Sequence, residues 1–250
     1  MITHLSARGQ LALNVQLRDA SSFENFHMLR NREAVSNVVI AVERSADSAT
    51  HAGGQWKFEQ IFLAGERGCG KTHLLEAAAR LAQDLGLAPA YVPLRTKAAL
   101  VPGFLEGLES AALVCLDDLD SVVGDAQWEQ SLLRLYEGLR SRAGTLLVAA
   151  SSAPAQLGLG LPDLATRLGA GLVYQLHPLN DDEKLEALRL RARNRGLDMG
   201  EEVARYVLSR YPRNTHALFS LLDRIDLVSL ETQRRLTIPF IRSLLAAGTP

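Results

Sequence analysis

One run of eight residues has the composition and spacing of a phosphate-binding loop. Residues 65–72 read Gly-Glu-Arg-Gly-Cys-Gly-Lys-Thr and match the pattern G-x-x-x-x-G-K-[ST] completely. Glycines let backbone N–H groups curl around a phosphate, and a helix that begins there adds positive partial charge. We expect Lys71 to reach the β- and γ-phosphates of a nucleotide and Thr72 to ligate Mg²⁺. The remaining nucleotide-binding residues predicted from this run are Gly65, Glu66, Arg67, Gly68, Cys69 and Gly70.

A pair of aspartates follows the apolar run Ala-Ala-Leu-Val-Cys-Leu. A phosphate-binding loop needs a second carboxylate for its metal ion, and Asp117 is placed to hold Mg²⁺ through water. Asp118 stands where a base would orient an attacking water. An acid pair at a helix N-terminus is the alternative interpretation. Together the loop and the aspartates predict nucleoside-triphosphate binding, and they predict turnover less firmly because Asp118 is shorter than the Glu usual there.

Short apolar runs alternate with helical patterns from Gln60 to Leu176, as in a parallel sheet covered on both faces. After Leu179 the pattern is helical throughout. The sequence therefore predicts an α/β fold with a five-stranded parallel sheet, followed by a small all-helical lid domain. The predicted strands are 61–64, 90–94, 112–116, 146–149 and 172–176. We expect an N-terminal segment over 1–22, an α/β domain over 23–179 and the lid over 180–250, with a helical lead-in from Phe23 to Val42 and a surface loop over 45–54.

The composition excludes several classes of protein. Of 250 residues, 47% are hydrophobic, and 27 basic side chains balance 28 acidic ones. Such a chain is too apolar to be disordered and too neutral to bind polyanions over its whole surface. It lacks both a membrane-spanning apolar run and a signal peptide, so we expect a cytoplasmic protein. Cys69 and Cys115 do not make a disulfide framework; they pack as small side chains or approach one another.

A string of short segments beyond the loop resembles the Hda family of DnaA-related AAA+ ATPases. The likeness extends from Gln10 to Leu245 and implies ADP or ATP with Mg²⁺ as cofactors. In this family the initiator DnaA carries an additional C-terminal DNA-reading domain. Since the sequence ends at Pro250, we expect a protein other than the initiator. The segments that carry the resemblance are 91–94, 113–117, 124–129, 160–165 and 236–240.

Two further sites are implied by this resemblance. Arg167 matches the arginine finger of the family, which would act in trans on ATP held by DnaA. The run Gln10-Leu11-Ala12-Leu13 resembles a motif that docks on the β sliding clamp of DNA polymerase III, with Gln10, Leu11 and Leu13 as the contacting residues. In isolation, such an arginine is usually a surface charge and such a run an ordinary amphipathic strand.

Two positions depart from the family pattern. His216 stands where the second sensor is usually Arg, and Arg213 lies one turn away as a possible substitute. Ser151 stands where relatives have Asp and therefore lacks the negative charge. These departures indicate weak hydrolysis of the chain's own ATP and favour ADP as a structural cofactor.

The resemblance implies a negative regulator of DNA replication initiation. Such a protein would hold ADP, dock on the DNA-loaded clamp and stimulate hydrolysis of DnaA-bound ATP through Arg167. Its partners would be DnaA, the clamp and, through the clamp, DNA at the replisome in the cytoplasm, with no membrane contact. One alternative is a self-contained AAA+ ATPase of the helicase-loader type that acts as a homo-oligomer. Another is an adaptor in which the nucleotide only stabilises the fold.

Overall fold

Two compact units make up the described part of the chain. The computed structural model describes residues 21–26, 30–50, 57–212, 214–232 and 236–246. The first unit contains the described residues of Met1–Glu24 and Met28–His177, and the second contains those of Asn25–His27 and Pro178–Pro250. Within the described residues, no helix combines the length and apolar character that crossing a membrane requires.

A parallel sheet of five strands forms the centre of the first unit. From edge to edge, its strands are Ala90–Pro93, Leu113–Asp117, Thr145–Ala150, Glu59–Ala64 and Leu172–Gln175. Ala64 lies opposite Ala150 and Pro93 opposite Asp117, so neighbouring strands end at the same edge of the sheet. The central strands are buried along their length because helices cover both faces, which is why they are continuously apolar. The predicted α/β fold with a parallel sheet is confirmed. The strands are β1 Glu59–Ala64, β2 Ala90–Pro93, β3 Leu113–Asp117, β4 Thr145–Ala150 and β5 Leu172–Gln175.

Helices of the first unit connect these strands and carry the candidate site. One face of the sheet packs on buried leucines of the helices Ala126–Ser141 and Pro162–Gly169, among them Leu132, Leu139 and Leu164. Burial of each such side chain stabilises the fold by about 2 kcal/mol. The helices are α1 Arg32–Thr50, α2 Lys71–Asp84, α3 Ala126–Ser141 and α4 Pro162–Gly169.

The segment before β1 differs from the prediction. Phe23–Asn25 forms a short 3₁₀ turn. Helix α1 begins at Arg32 and continues to Thr50, through the first six of the ten residues predicted as a surface loop. The helix continues because Val38, Val42 and Ser45 are buried on one stripe, and the Ser45 hydroxyl donates a hydrogen bond to the Ala112 carbonyl at 2.8 Å. Because this segment is rich in polar residues, its buried stripe is hard to recognise in the sequence. The rest of the predicted loop, residues 51–54, lies outside the described residues.

The second unit is helical, as predicted. Its core is apolar and includes Leu188, Val207, Leu222 and Ile241. The first of its helices starts with a capping box, in which the Asn180 side chain accepts from the Glu183 N–H and the Glu183 carboxylate accepts from the Asn180 N–H. The helices are α5 Asp181–Asn194, α6 Glu201–Arg210, α7 Thr215–Thr232 and α8 Ile238–Ala246.

Candidate nucleotide-binding site

The glycine-rich loop joins β1 to α2 and surrounds the ammonium group of Lys71. Lys71 Nζ donates to the carbonyl oxygens of Gly65 at 2.5 Å and Glu66 at 3.0 Å. Gly70 caps α2 with a φ of 99°, a left-handed conformation that glycine adopts without strain, and no side chain caps this helix end. The loop thus collects a cation and the N-terminal amides of α2 in one place. This is the chemistry that a phosphate group requires.

Gly65 is required by close packing against the next strand. A Cβ atom at this position would lie 2.8 Å from both the Leu176 carbonyl oxygen and the Cys69 sulfur. The Gly65 N–H donates to the Ala150 carbonyl at 3.2 Å, which fastens the start of the loop to the end of β4. The start of the loop is therefore anchored to the sheet.

Both cysteines are buried free thiols. Burial raises the pKa of the Cys69 thiol, an effect that the nearby Lys71 ammonium only partly opposes. Burial, with the negative charge of Asp117, also raises the pKa of the Cys115 thiol. Protonated, enclosed thiols of this kind pack as small apolar groups, and they form no disulfide.

Asp117 is held rigidly at the end of β3. Its side chain is fully buried; Oδ2 accepts from the Tyr91 hydroxyl at 2.8 Å and Oδ1 from the Asp118 N–H at 3.0 Å. No cluster of three or more His, Cys, Asp or Glu side chains suited to a metal ion occurs among the described residues. Mg²⁺ fits such a site when it arrives with phosphate oxygens and keeps several waters, as predicted for Thr72 and Asp117.

Asp118 adopts a left-handed backbone conformation, with φ 55° and ψ 49°, directly after β3. This conformation turns the chain sharply and leaves the carboxylate 3.5 Å from the Arg95 Nε atom. Burial raises the pKa of the Asp118 carboxyl, and the charge of Asp117 raises it further, whereas Arg95 and Lys71 oppose the rise. The role of Asp118 in orienting an attacking water stays a prediction.

Ser151 has a carboxylate partner that sequence reasoning missed. The Asp120 side chain accepts from the Ser151 N–H at 2.9 Å and 3.1 Å, and it also accepts from the Ser151 hydroxyl. Asp120 follows β3 and Ser151 follows β4, so the two neighbouring strand ends bring them together. The negative charge that the sequence lacks at position 151 is thus present nearby. Only the order of the strands reveals this, because the two residues lie far apart in sequence.

Arg167 lies on α4 and contacts three other side chains, which together with it form the Arg167 cluster. Its Nε donates to Asp163 Oδ2 at 2.9 Å, its Nη1 pairs with Glu137, and its guanidinium carbon lies 5.8 Å from the centre of the Tyr136 ring. The hydrogen bond that Arg167 donates to Asp163 is the largest cause of a raised Arg167 pKa, so the group stays charged. With 28% of its side chain exposed, Arg167 is oriented by its neighbours yet accessible at the surface. The spacing of four residues signals the Asp163 pair, but nothing in the sequence signals Glu137.

Several predicted site residues are not described structurally. Gln10, Leu11 and Leu13 of the predicted clamp-binding motif lie outside the described residues, as does Arg213. For His216 the structure describes only the backbone, within α7. Clamp docking and the second sensor therefore stay predictions.

The sheet, the phosphate-binding loop and the helical unit define the AAA+ class of nucleotide-binding fold, and solved structures share it. Domain III of the DnaA replication initiation protein from Thermotoga maritima is 18% identical, with a TM-score of 0.71 over 92% of this chain and 97% of that one. AMPPCP-bound DnaA from Aquifex aeolicus is 23% identical, with a TM-score of 0.66 over 88% of this chain and 69% of that one. A DNA replication initiation factor is 23% identical, with a TM-score of 0.64 over 84% of this chain, which spans 65% of that longer one. At these identities the likeness establishes the fold.

The helical unit matches a known domain family. Residues 181–245 match the family model for the Hda lid domain. The second unit is therefore similar to the Hda lid domain, and the resemblance to the Hda family predicted from the sequence is confirmed.

Proposed function

We propose that this chain is a nucleotide-bound regulator of DNA replication initiation that stimulates hydrolysis of ATP bound to DnaA. An Hda lid domain and a DnaA-like AAA+ fold support a place among DnaA-related proteins. The observation that carries the proposal is the Arg167 cluster. An accessible guanidinium, charged and oriented by two carboxylates and an aromatic ring, has the properties of an arginine finger.

The chain's own nucleotide stabilises the fold in this proposal. Gly65 to Gly70 and Lys71 hold its phosphates, and Thr72 with Asp117 holds Mg²⁺, which neutralises phosphate charge when bound. Lys71 already lies over the loop carbonyls, so phosphate oxygens would replace weaker acceptors for its ammonium group. ADP fits the proposal best because neither Ser151 nor His216 supplies the usual side chain for sensing a γ-phosphate.

Arg167 acts on the nucleotide of the partner. A guanidinium at the γ-phosphate of DnaA-bound ATP would stabilise the charge of the transition state, an effect of about 10³- to 10⁵-fold in rate for arginine fingers. Asp163 and Tyr136 hold one edge and one face of the guanidinium, which fixes its direction before the partner binds. Preorganisation of this kind spares the ordering of a long side chain during the reaction.

Recruitment to DNA is the second element of the proposal. Gln10, Leu11 and Leu13 would dock on the β sliding clamp, with the glutamine at the rim of a pocket and the leucines on its apolar floor. The near-neutral charge of the chain agrees with recruitment through a clamp rather than through direct contact with phosphates.

The test measures hydrolysis of DnaA-bound ATP in the presence of clamp-loaded DNA. We expect Arg167→Ala to abolish most of the stimulation while nucleotide binding by the variant itself stays unchanged. Arg140→Ala is the matched control, because Arg140 is an exposed arginine on the neighbouring helix α3. Replacement of Gln10, Leu11 and Leu13 by alanine should remove the dependence on the clamp. Full stimulation by Arg167→Ala would overturn the proposal.

A self-contained ATPase gives a different result. Such a protein would hydrolyse ATP alone, with a specific activity that rises with its own concentration and disappears in Lys71→Ala. An adaptor would lose clamp binding when Gln10, Leu11 and Leu13 are replaced, yet it would be indifferent to Arg167→Ala. The three functions are thus separated by the same set of variants.

A further inference from the structure

Glu129 is a buried carboxylate on α3, the helix that also contacts Arg167, and it belongs to none of the sites described above. Its side chain is 1% exposed and lies in the first turn of α3. Oε1 accepts from the N–H groups of Gly124 at 2.8 Å and Gly160 at 3.0 Å, and Oε2 accepts from the Leu161 N–H at 2.7 Å. A buried carboxylate that accepts three backbone hydrogen bonds is fixed in position, and it fixes its donors in turn.

Two of these three donors mark the point at which the chain enters α4. Leu161 is the N-cap residue of α4, and no side chain of α4 itself caps the helix. Its first residue, Pro162, has no N–H group to offer. Glu129 therefore fixes, from a neighbouring element, the two residues that lead into a helix only eight residues long.

The same helix α3 contacts both ends of α4. Glu129 holds the N-terminal end, and Tyr136 and Glu137, two turns farther along α3, contact the Arg167 guanidinium. Buried Leu164 and Leu168 occupy the face of α4 between these contacts. Rotation or displacement of α4 would move Arg167 away from Tyr136 and Glu137, and Glu129 opposes that motion where the helix begins.

We propose that Glu129 is a positioning residue for Arg167, acting through the backbone of Gly160 and Leu161. The inference rests on the proposed function of Arg167 and adds a residue that never contacts the substrate. A misplacement of about 1 Å far from the chemistry can reduce a rate by about 100-fold. We therefore expect loss of the Glu129 hydrogen bonds to Gly160 and Leu161 to lower the stimulated rate of ATP hydrolysis while partner binding is retained.

The first experiment compares Glu129→Gln with unsubstituted protein in stimulation of DnaA-bound ATP hydrolysis on clamp-loaded DNA. The glutamine keeps the shape but presents an amide donor to backbone N–H groups. We expect the maximal rate to fall by about 10-fold or more, with the half-saturating concentration unchanged. Glu109→Gln is the control, since Glu109 accepts a backbone N–H from Gly107 at 2.9 Å but not from the segment before α4. Its rate should stay within about twofold of the unsubstituted protein.

The double variant separates positioning from general damage. Because Glu129 acts through Arg167, adding Glu129→Gln to Arg167→Ala should lower the residual rate by less than about twofold. A further large loss of rate in the double variant would overturn the inference. So would a Glu129→Gln protein in which only the half-saturating concentration changes. If Glu129→Gln does not fold, Glu129→Asp, which keeps the charge at a shorter reach, takes its place under the same criteria.

Hydrogen exchange gives a readout that does not depend on hydrolysis. In the free protein, amide exchange over residues 160–168 should become at least about tenfold faster in Glu129→Gln, while exchange in α2 stays unchanged. Equal exchange in both proteins would overturn the inference. If Arg167→Ala stimulates ATP hydrolysis fully, both the proposed function and the inference are wrong. If Arg167→Ala does not stimulate hydrolysis and Glu129→Gln stimulates it fully, only the inference is wrong.

Discussion

Replacement of Tyr91 by phenylalanine tests how the candidate metal carboxylate is held. The Tyr91 hydroxyl donates to Asp117 Oδ2 at 2.8 Å, and the exposed fractions are 5% for Tyr91 and 0% for Asp117. Removal of the hydroxyl leaves a buried carboxylate oxygen without this donor. Hydrogen bonds to charged groups are worth about 1.5–3 kcal/mol, so we expect the free energy of unfolding to fall by about 2 kcal/mol. For a chain of this size the melting temperature should fall by about 4–8 °C.

Denaturant unfolding of the nucleotide-free protein, with a chelator present, measures this loss. Tyr174→Phe is the matched control: Tyr174 is half-buried and its hydroxyl bonds to Asn37, so we expect a loss below about 1 kcal/mol. Burial and the charge of Asp117 raise the pKa of Tyr91, so the hydroxyl stays a donor and the loss should be equal at neutral and mildly alkaline pH. A loss for Tyr91→Phe no greater than that for Tyr174→Phe would refute the reasoning.

Three other substitutions and reactions have defined outcomes. Gly65→Ala should lower both the melting temperature and nucleotide affinity, because its Cβ would lie 2.8 Å from the Leu176 carbonyl oxygen; unchanged values in thermal unfolding and nucleotide titration would contradict this. Alkylation of Cys69 should be slower than that of free cysteine at equal pH and should rise toward more alkaline pH, because burial raises its pKa and reduces the thiolate fraction; a rate equal to that of free cysteine would count against the buried thiol. Asp120→Asn should increase the affinity for ATP relative to ADP several-fold. The substitution removes a negative charge that is hydrogen-bonded to Ser151, at the edge of the sheet where the phosphate-binding loop begins. If titrations with ATP and ADP give the same ratio of affinities as the unsubstituted protein, Asp120 does not disfavour ATP.

Much of the fold can be predicted from local patterns in the sequence. Each strand of the sheet is a short apolar run, and the loop Gly65–Thr72 lies between a strand and a helix as its spacing predicts. The prediction of a loop at the end of α1 is wrong because polar residues such as Asp47 and Ser48 lie between the buried positions of the helix. A hydrophobic period is hard to recognise where serine and alanine occupy the buried positions, since neither is strongly apolar.

Contacts between distant segments could not be predicted from one sequence. The pairing of Asp120 with Ser151 depends on β3 and β4 being neighbours, and that of Arg167 with Glu137 depends on α3 lying beside α4. A periodic pattern specifies which face of an element is buried, but it does not specify which polar residue of another element meets it. Glu129 shows the same limit, because its three donors are backbone groups that have no sequence signature.

The strand order has a consequence for synthesis of the protein on the ribosome. β1 pairs with β4 and β5, which begin at residues 145 and 172, so a nascent chain exposes the apolar run Ile61-Phe62-Leu63 long before either partner strand exists. Gly65 is fastened to Ala150 and packs on Leu176, so the phosphate-binding loop, although translated early, reaches its final course only after those residues emerge. Nascent chains that stop before β4 should therefore aggregate or engage chaperones and fail to retain nucleotide.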